Sequence, residues 1–327
     1  MDTVTGCCGT GRGDLPGAPT DAAPAPGTRT VAGAADPSPR SPLVEVPAGS
    51  FWMGSEDPDG FPADGEGPVR QVSTRAFAIA AHAVTNADFA EFVEATAYRT
   101  DAERFGWSFV FHLLVHPRAR RHVMAERVPG APWWRAVRGA TWFAPGGPGS
   151  DVARLADHPV VHVSHADALA YAGWRGARLP TEAEWERAAR GGLEGAVYPW
   201  GDELTPGGEH RANIWQGRFP EDNTEADGWL GTAPVDAFAP NGWGLYGTSG
   251  NVWEWTGDLF SATYHRHDKP ATRQDPRGPR YGQARVVRGG SYLCHHSYCN
   301  RYRVAARTSV TDDSSLGHTG LRVVVER

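Results

Sequence analysis

The residues in this chain that could do chemistry by type and spacing begin with two cysteines. Four cysteines occur in all, at 7, 8, 294 and 299. Cys294 and Cys299 stand five positions apart in GGSYLCHHSYCNRYRVAAR, residues 289–307. Such a pair admits four readings: inert core residues, a local disulfide, half of a zinc site, or a soft two-sulfur metal site. Structural zinc takes four ligands, usually with a second cysteine pair, and His295 and His296 between the thiols do not supply that pair. A disulfide across so short a loop gains little from loop closure. Two thiolates suit Cu(I). Arg288, Arg301, Arg303 and Arg307 would lower the thiol pKa and favour the thiolate. The spacing itself leaves redox and copper chemistry both open.

Oxygen donors cluster in two loops. In GLYGTSGNVWEWTGD, residues 244–258, Asn251 and Glu254 lie among glycines whose tight turns expose carbonyls. That set suits Ca2+, although it lacks the EF-hand pattern, and a turn with a satisfied carboxylate reads equally well. ANIWQGRFPEDNTEADGW, residues 212–229, adds Asn213, Asp222, Asn223 and Asp227. The histidines of HPVVHVSH, His158 and His162, are read as structural. Val160, Val161 and Val163 favour a strand there, which would hold the two rings about 13 Å apart. No P-loop or dinucleotide fingerprint occurs, and no G-x-S-x-G elbow.

These residues need elements to position them. The chain has 327 residues and a net charge of -6, which argues against a polyanion-binding surface. Forty glycines, 26 prolines and 13 tryptophans predict a loop-rich α+β fold pinned by large aromatic anchors. Residues 1–41 carry few large apolar side chains and read as a disordered tail. Cys7 and Cys8 fall in it, and a plain tail is the simpler reading than a metal or lipid site. Residues 42–327 read as one domain. LVEVPAGSFWMGS predicts a hairpin and VRQVSTRAFAIA a second strand, with the acidic EDPDGFPADGEGP loop between. Three helices carry start signals: Thr85 before Phe89, Phe92 and Val93; Ser164 before a stripe of Ala168, Leu169 and Ala172; and a Thr181/Glu184 capping box before Trp185 and Ala188, with Gly191 as stop. The absence of a long apolar run or a leader-like start leads to the expectation of a cytoplasmic, reducing setting, with no membrane or nucleic-acid partner.

Taken together, PAGSFWMGS, AVTNADFAEFV, DAERFGWSFVF, HPVVHVS, RLPTEAEWERAARGG, YPWGDELTPGG, ANIWQGRFP, GTAPVDAFAPNGWGLYGTSGNVWEW and RGGSYLCHHSYCNRYRVAARTSVTDDSS resemble the formylglycine-generating enzymes, or sulfatase-modifying factors. The resemblance covers nearly all of 43–325. RLPTEAEWE and GNVWEW belong to the wider superfamily, and GGSYLCHHSYCNRYR is the discriminating stretch. The resemblance implies a C-type-lectin-like fold, poor in regular structure and stabilised by Ca2+. It implies a copper-dependent oxidase that uses O2 to convert the cysteine of a Cys-x-Pro-x-Arg segment in an unfolded or nascent sulfatase to Cα-formylglycine. It is expected to act as a monomer. By matching position, Cys294 and Cys299 would hold Cu(I). Ser291 would lie beside the oxygen site, Trp253 would line the pocket, and Tyr298 and Arg301 would be its polar neighbours. Ser315 and His318 would meet substrate. One calcium set would be Asn213, Ile214 and Trp229 by carbonyl for the last two, with Asp227. The other would be Gly250 and Val252 by carbonyl, with Glu254. Departures from the family pattern include Gly247, where many relatives carry Asn, His165 for a common Trp, and His318 for Asn. Thr256, Val304 and Val323 stand at positions that can be cysteine in secreted relatives, so those extra disulfides cannot form.

Overall fold

The computed structural model describes residues 10–15, 41–266 and 269–326. Its elements in chain order are β1 (Leu43–Val46), β2 (Gly49–Met53), β3 (Arg70–Thr74), β4 (Phe77–Ala80), α1 (Asn86–Thr96), α2 (Asp101–Phe105), β5 (Trp107–Phe111), β6 (Trp134–Arg138), α3 (His165–Trp174), α4 (Glu182–Arg190), β7 (Gly217–Arg218), β8 (Asp222–Asn223), β9 (Trp253–Leu259), α5 (Pro270–Arg273), β10 (Ala284–Arg288), β11 (Arg307–Thr311), β12 (Thr319–Leu321) and β13 (Val324–Glu326). The rest is turns and irregular chain, the α+β architecture of low regular content that the composition predicts.

The helices begin where their caps say. Thr85, Thr100, Ser164 and Thr181 each accept a bond from the amide three residues on, and a carboxylate three residues on closes each capping box. Gly191 ends α4 in the left-handed conformation. Phe89 and Phe92 of α1 and Trp185 and Ala188 of α4 are buried, as their spacing predicts. In α3 the inner stripe is Ala168, Tyr171 and Ala172. Leu169 is 47% exposed, one residue off the buried face.

Strand pairing departs from the sequence reading. Residues 43–53 do not form a hairpin. β1 pairs with β4, and β2 pairs with β3, so each strand crosses the acidic loop to find its partner. The stretch VRQVSTRAFAIA is two strands, broken at Arg75 and Ala76. HPVVHVSH is not a strand either. Its backbone bonds go to Val84 O and Leu316 O, and His162 takes φ 61°.

A four-stranded sheet in the order β11-β10-β9-β12 organises the C-terminal half. β12 runs parallel to β9, Thr319 opposite Trp253, and the others are antiparallel. The main core gathers Trp107, Trp134, Trp215, Trp253 and Trp255 with Phe89, Phe109, Tyr171, Tyr292, Cys294 and Cys299. Tryptophans replace long helices as the source of buried area.

The chain before residue 42 is not all loose tail. Residues 10–15 are seated on the domain, with a short 3-10 turn at Arg12–Asp14, and Thr10, Arg12 and Leu15 are buried. Cys7 and Cys8 lie outside the described residues.

Candidate active site

The two thiols sit in the loop that leaves β10 and returns in β11. Gly290 opens it. With φ 76°, and with a Cβ there falling 2.8 Å from Arg301 O, only glycine fits comfortably. The loop then makes two tight turns: Cys294 N donates to Ser291 O at 2.9 Å, and Cys299 N to His295 O at 2.7 Å. Together they bring Cys294 Sγ to 3.2 Å from Cys299 Sγ. Both thiols are buried and not joined in a disulfide. Their separation is well beyond the roughly 2.05 Å of a disulfide. Trp215 N donates to Cys294 O, which ties the 212–229 loop to the same turn.

The base of this loop is held by α4. Glu182 accepts from Arg307 Nε and Nη2 at 2.6 and 2.7 Å, and from Arg288 Nη1 at 3.2 Å. Arg288 and Arg307 face each other across β10 and β11, so one carboxylate holds both ends of the excursion. Glu186 completes the layer, accepting from Arg288 and Arg190. These arginines were expected to act on the thiols. The structure corrects that for three of the four. Arg288 and Arg307 are committed to Glu182 and Glu186, and Arg303 to Glu66 by two bonds of 2.6 and 2.7 Å. Only Arg301 reaches the pair, with Nη1 3.7 Å from Cys299 Sγ. Its Nε donates to Asp64 at 2.5 Å, and its guanidinium lies over the Phe61 ring. The acidic loop is therefore a clamp on the cysteine loop. The alternating arginines of NRYRVAAR were the available signal for it.

Ser291 and His318 come together: Ser291 Oγ is 3.0 Å from His318 Nδ1, and both are fully buried. Burial holds the imidazole neutral, its pKa pulled down to about 3, with Cys299 opposing the shift. His318 Nε2 has no hydrogen-bond partner, and neither has Trp253 Nε1 in the same core. Tyr298 is half-buried and stacks on Phe219 at 4.2 Å, with Trp133 edge-on at 5.5 Å. These three partly exposed rings form an aromatic rim beside Cys299.

Ser315 lies three residues before His318. Its hydroxyl accepts from Arg12 Nη2 at 2.7 Å and lies 3.0 Å from Ser108 Oγ. Ser108 also meets His162 Nδ1, whose other nitrogen reaches Pro145 O at 2.9 Å. His162 is thus a satisfied core histidine, and His158 bonds Thr232. Both line a groove of about 720 Å³ with Leu114, Trp229 and Tyr292, and neither thiol is among its walls.

The two expected calcium sets differ. In the first, Asp227 accepts from Ile214 N, Gln216 Nε2 and Trp229 N. Gln216 Nε2 also contacts Ile214 O, so one amide group bridges two oxygens that a hard cation would share. Asn213 Oδ1 is buried without a partner, and burial raises the Asp227 pKa. This donor set fits Ca2+. In the second set Glu254 is fully buried, ion-paired to Arg322 at 2.8 Å, and accepts Trp185 Nε1 at 2.6 Å, so its carboxylate is also part of the protein's own ion-pair network. Gly250 and Val252 lie in the turn that enters β9, with Gly250 bridged to Asn213.

For copper the test is the donor set. Two facing, buried sulfurs make a soft site. Among the described residues no three His, Cys, Asp or Glu side chains converge on one point, so the residues present match neither a zinc tetrad nor an iron triad.

Comparison with known proteins identifies the family. The chain is 63% identical over 284 residues to a formylglycine-generating enzyme of Thermomonospora curvata, covering 87% of this chain and 93% of that one. It is 58% identical over 302 residues to the Streptomyces coelicolor enzyme of the same name, covering 92% and 95%. In structure it resembles PvdO from Pseudomonas aeruginosa, with a TM-score of 0.63 at 24% identity over 87% and 94% of the two chains, a likeness of fold. Residues 30–327 match the sulfatase-modifying factor enzyme 1-like domain, and the chain belongs to that family.

Proposed function

We propose that this chain is an O2-using, copper-dependent oxidase that converts the cysteine of a sulfatase's Cys-x-Pro-x-Arg segment to Cα-formylglycine. Its two relatives carry the formylglycine-generating name at 63% and 58% identity. The observation that carries the reading is the facing pair, Cys294 Sγ to Cys299 Sγ at 3.2 Å, both buried.

Copper, when bound by Cys294 and Cys299, supplies the one-electron chemistry with O2 that side chains lack. The chain's own residues do the rest. The two sulfurs offer a soft seat to which a third thiol, that of the substrate, can be added. The surrounding tryptophans exclude water. Ser291, fixed by neutral His318, presents a hydroxyl beside the thiol turn without a competing charge. Arg301 sets a positive charge against Cys299, favouring the thiolate. The rim of Trp133, Phe219 and Tyr298 offers flat apolar faces to an extended peptide. Asn213, Ile214, Asp227 and Trp229 would hold Ca2+ as a structural brace behind Cys294. A site that works through two thiols suits a reducing compartment such as the cytoplasm. Among the described residues no helix is long and apolar enough to cross a membrane.

The test is mass spectrometry of a Cys-x-Pro-x-Arg peptide incubated with enzyme, Cu(I), reductant and air. An aldehyde trapped by a hydroxylamine probe, and absent when copper is withheld, is the expected result. No aldehyde and no copper binding would turn the reading toward a non-catalytic lectin-like binding module on this fold.

A further inference from the structure

Arg12 is buried to 1% exposure in a seat built by residues far from it in sequence. Its guanidinium is sandwiched between the rings of Phe105 and Trp107, 4.1 and 4.4 Å from their centroids. Nη2 donates to Ser315 Oγ at 2.7 Å, Nη1 to Trp107 O at 3.0 Å, and Nε to Asp313 O at 3.1 Å. The flanking chain is fitted too. Ser314 Oγ donates to Thr10 O at 2.6 Å, and a Cβ on Gly11 would fall 2.5 Å from Thr311 Oγ1.

This seat differs from those of five other buried arginines. Arg288, Arg301, Arg303, Arg307 and Arg322 each have a carboxylate oxygen within 2.5–2.8 Å. Among the described residues Arg12 bonds two carbonyls and a hydroxyl, and Asp313, Asp101 and Asp167 act on it through space without a direct ion pair. A buried cation without a paired carboxylate is incompletely compensated, and burial pulls the Arg12 pKa down to about 10. The seat recognises an arginine by shape and hydrogen bonds and holds it less firmly than a structural ion pair.

The seat also adjoins the chemistry. Ser315 is three residues from His318, which bonds Ser291, whose carbonyl receives the Cys294 amide. The sequence adds a second, independent observation. Cys8-Gly9-Thr10-Gly11-Arg12 has a cysteine four positions before its arginine, the spacing of Cys-x-Pro-x-Arg, with Thr10 in place of proline. Four residues of extended chain span at most about 14 Å.

We propose that the segment ending in Arg12 is a built-in substrate mimic. It occupies the seat that receives the arginine of an incoming Cys-x-Pro-x-Arg segment, and substrate binds by displacing it. The proposal rests on the function assigned above. It makes the enzyme self-restrained: the apparent affinity for substrate is divided by the fraction of molecules whose seat is vacant. A true substrate, with proline pre-setting its backbone, outcompetes the resident segment, and a random arginine does not.

Hydrogen exchange by mass spectrometry on the full chain tests this. The probe is a Ser-x-Pro-x-Arg peptide, which lacks the reactive thiol, at concentrations shown to saturate by fluorescence anisotropy. The amides of Asp14 and Leu15, bonded to Gly11 O and Arg12 O, are expected to lose protection as peptide binds. Unchanged exchange at saturation overturns the proposal. In turnover, Arg12→Ala is expected to lower KM for the cysteine peptide about fivefold or more at unchanged kcat. Gly11→Val, which unseats the segment through Thr311 and leaves Arg12 in place, is expected to do the same even if Arg12→Ala folds poorly. A KM that stays constant or rises in both overturns it. A Cys-x-Pro-x-Arg peptide that releases residues 10–15 and is never converted in the presence of Cu(I) and air supports the seat and overturns the assigned reaction, which separates the two readings.

Discussion

Glu182 accepts two hydrogen bonds from Arg307, at 2.6 and 2.7 Å, and both groups are buried. The bond joins the first turn of α4 to the strand that receives the cysteine loop, and Arg288 shares the same carboxylate. Removing its charge leaves the buried Arg307 guanidinium without its paired carboxylate, while Arg288 keeps Glu186. Glu182→Gln is expected to cost about 3–5 kcal/mol, read as a fall in Tm on the order of 10 °C by calorimetry. A Tm within a degree of the parent would show that the loop is held by other means.

Cys294→Ser and Cys299→Ser are expected to abolish turnover by more than the roughly 10–100-fold that loss of an outer-shell partner costs, while Tm changes little. Ser291→Ala removes only the hydroxyl facing His318. Its expected effect is a drop in kcat within that 10–100-fold range at unchanged Cu(I) affinity. Assays of turnover and of Cu(I) competition against a chromophoric chelator separate the two classes. Full activity in either serine variant would remove copper from the assignment.

Calcium is expected to raise Tm through Asp227 and not through Glu254. The rise, seen on adding CaCl2 to chelator-treated protein, should vanish in Asp227→Ala. Glu254→Gln should lower Tm equally with and without calcium, because its partner is Arg322. A calcium response lost in Glu254→Gln and kept in Asp227→Ala would reverse the assignment of the sites.

His165 provides a pH test away from the thiols. Its ring is buried with Nε2 3.0 Å from Thr256 O, edge-on to Trp255. Burial, aided by Arg285, lowers its pKa from 6.5 to about 4. The unfolded chain therefore binds a proton between pH 6.5 and 4 that the folded chain refuses. The stability that neutral His165 contributes is complete above pH 6.5 and is lost as pH falls toward 4. His165→Trp restores the residue common in relatives and removes that titration. The urea stability of the variant relative to the parent should grow by about 1.4 kcal/mol per pH unit over this window. A constant difference would mean that His165 titrates normally.

Much of this was legible because its causes are local. A helix cap needs three residues of sequence, so Thr85, Ser164 and Thr181 announced α1, α3 and α4. The thiol pair was equally plain, since chemistry-bearing residues five apart stay close in any turn. What stayed hidden depends on distant partners. β1 finds β4 over thirty positions away, so adjacent strands read falsely as a hairpin. Asp64 and Arg301 are 237 positions apart, as are Glu66 and Arg303, and an acidic loop gives no sign of which cations it will meet. A lone carboxylate among glycines at Glu254 does not reveal that Arg322, 68 positions away, pairs with it. Arg12 was hidden by its neighbourhood, where composition argued against order and a single docked side chain decided otherwise.

The loop carrying the thiols leaves and re-enters on adjacent antiparallel strands, paired Arg288 to Arg307. Both its ends are fixed by one strand pair, so a change within residues 289–306 need not disturb the register of the sheet. In engineering terms it is an interchangeable cassette. A second member of the family can carry a different cassette on the same two posts. Transplanting 289–306 between such proteins, with the arginine pair and Glu182 retained, is the natural way to move a reaction from one scaffold to the next.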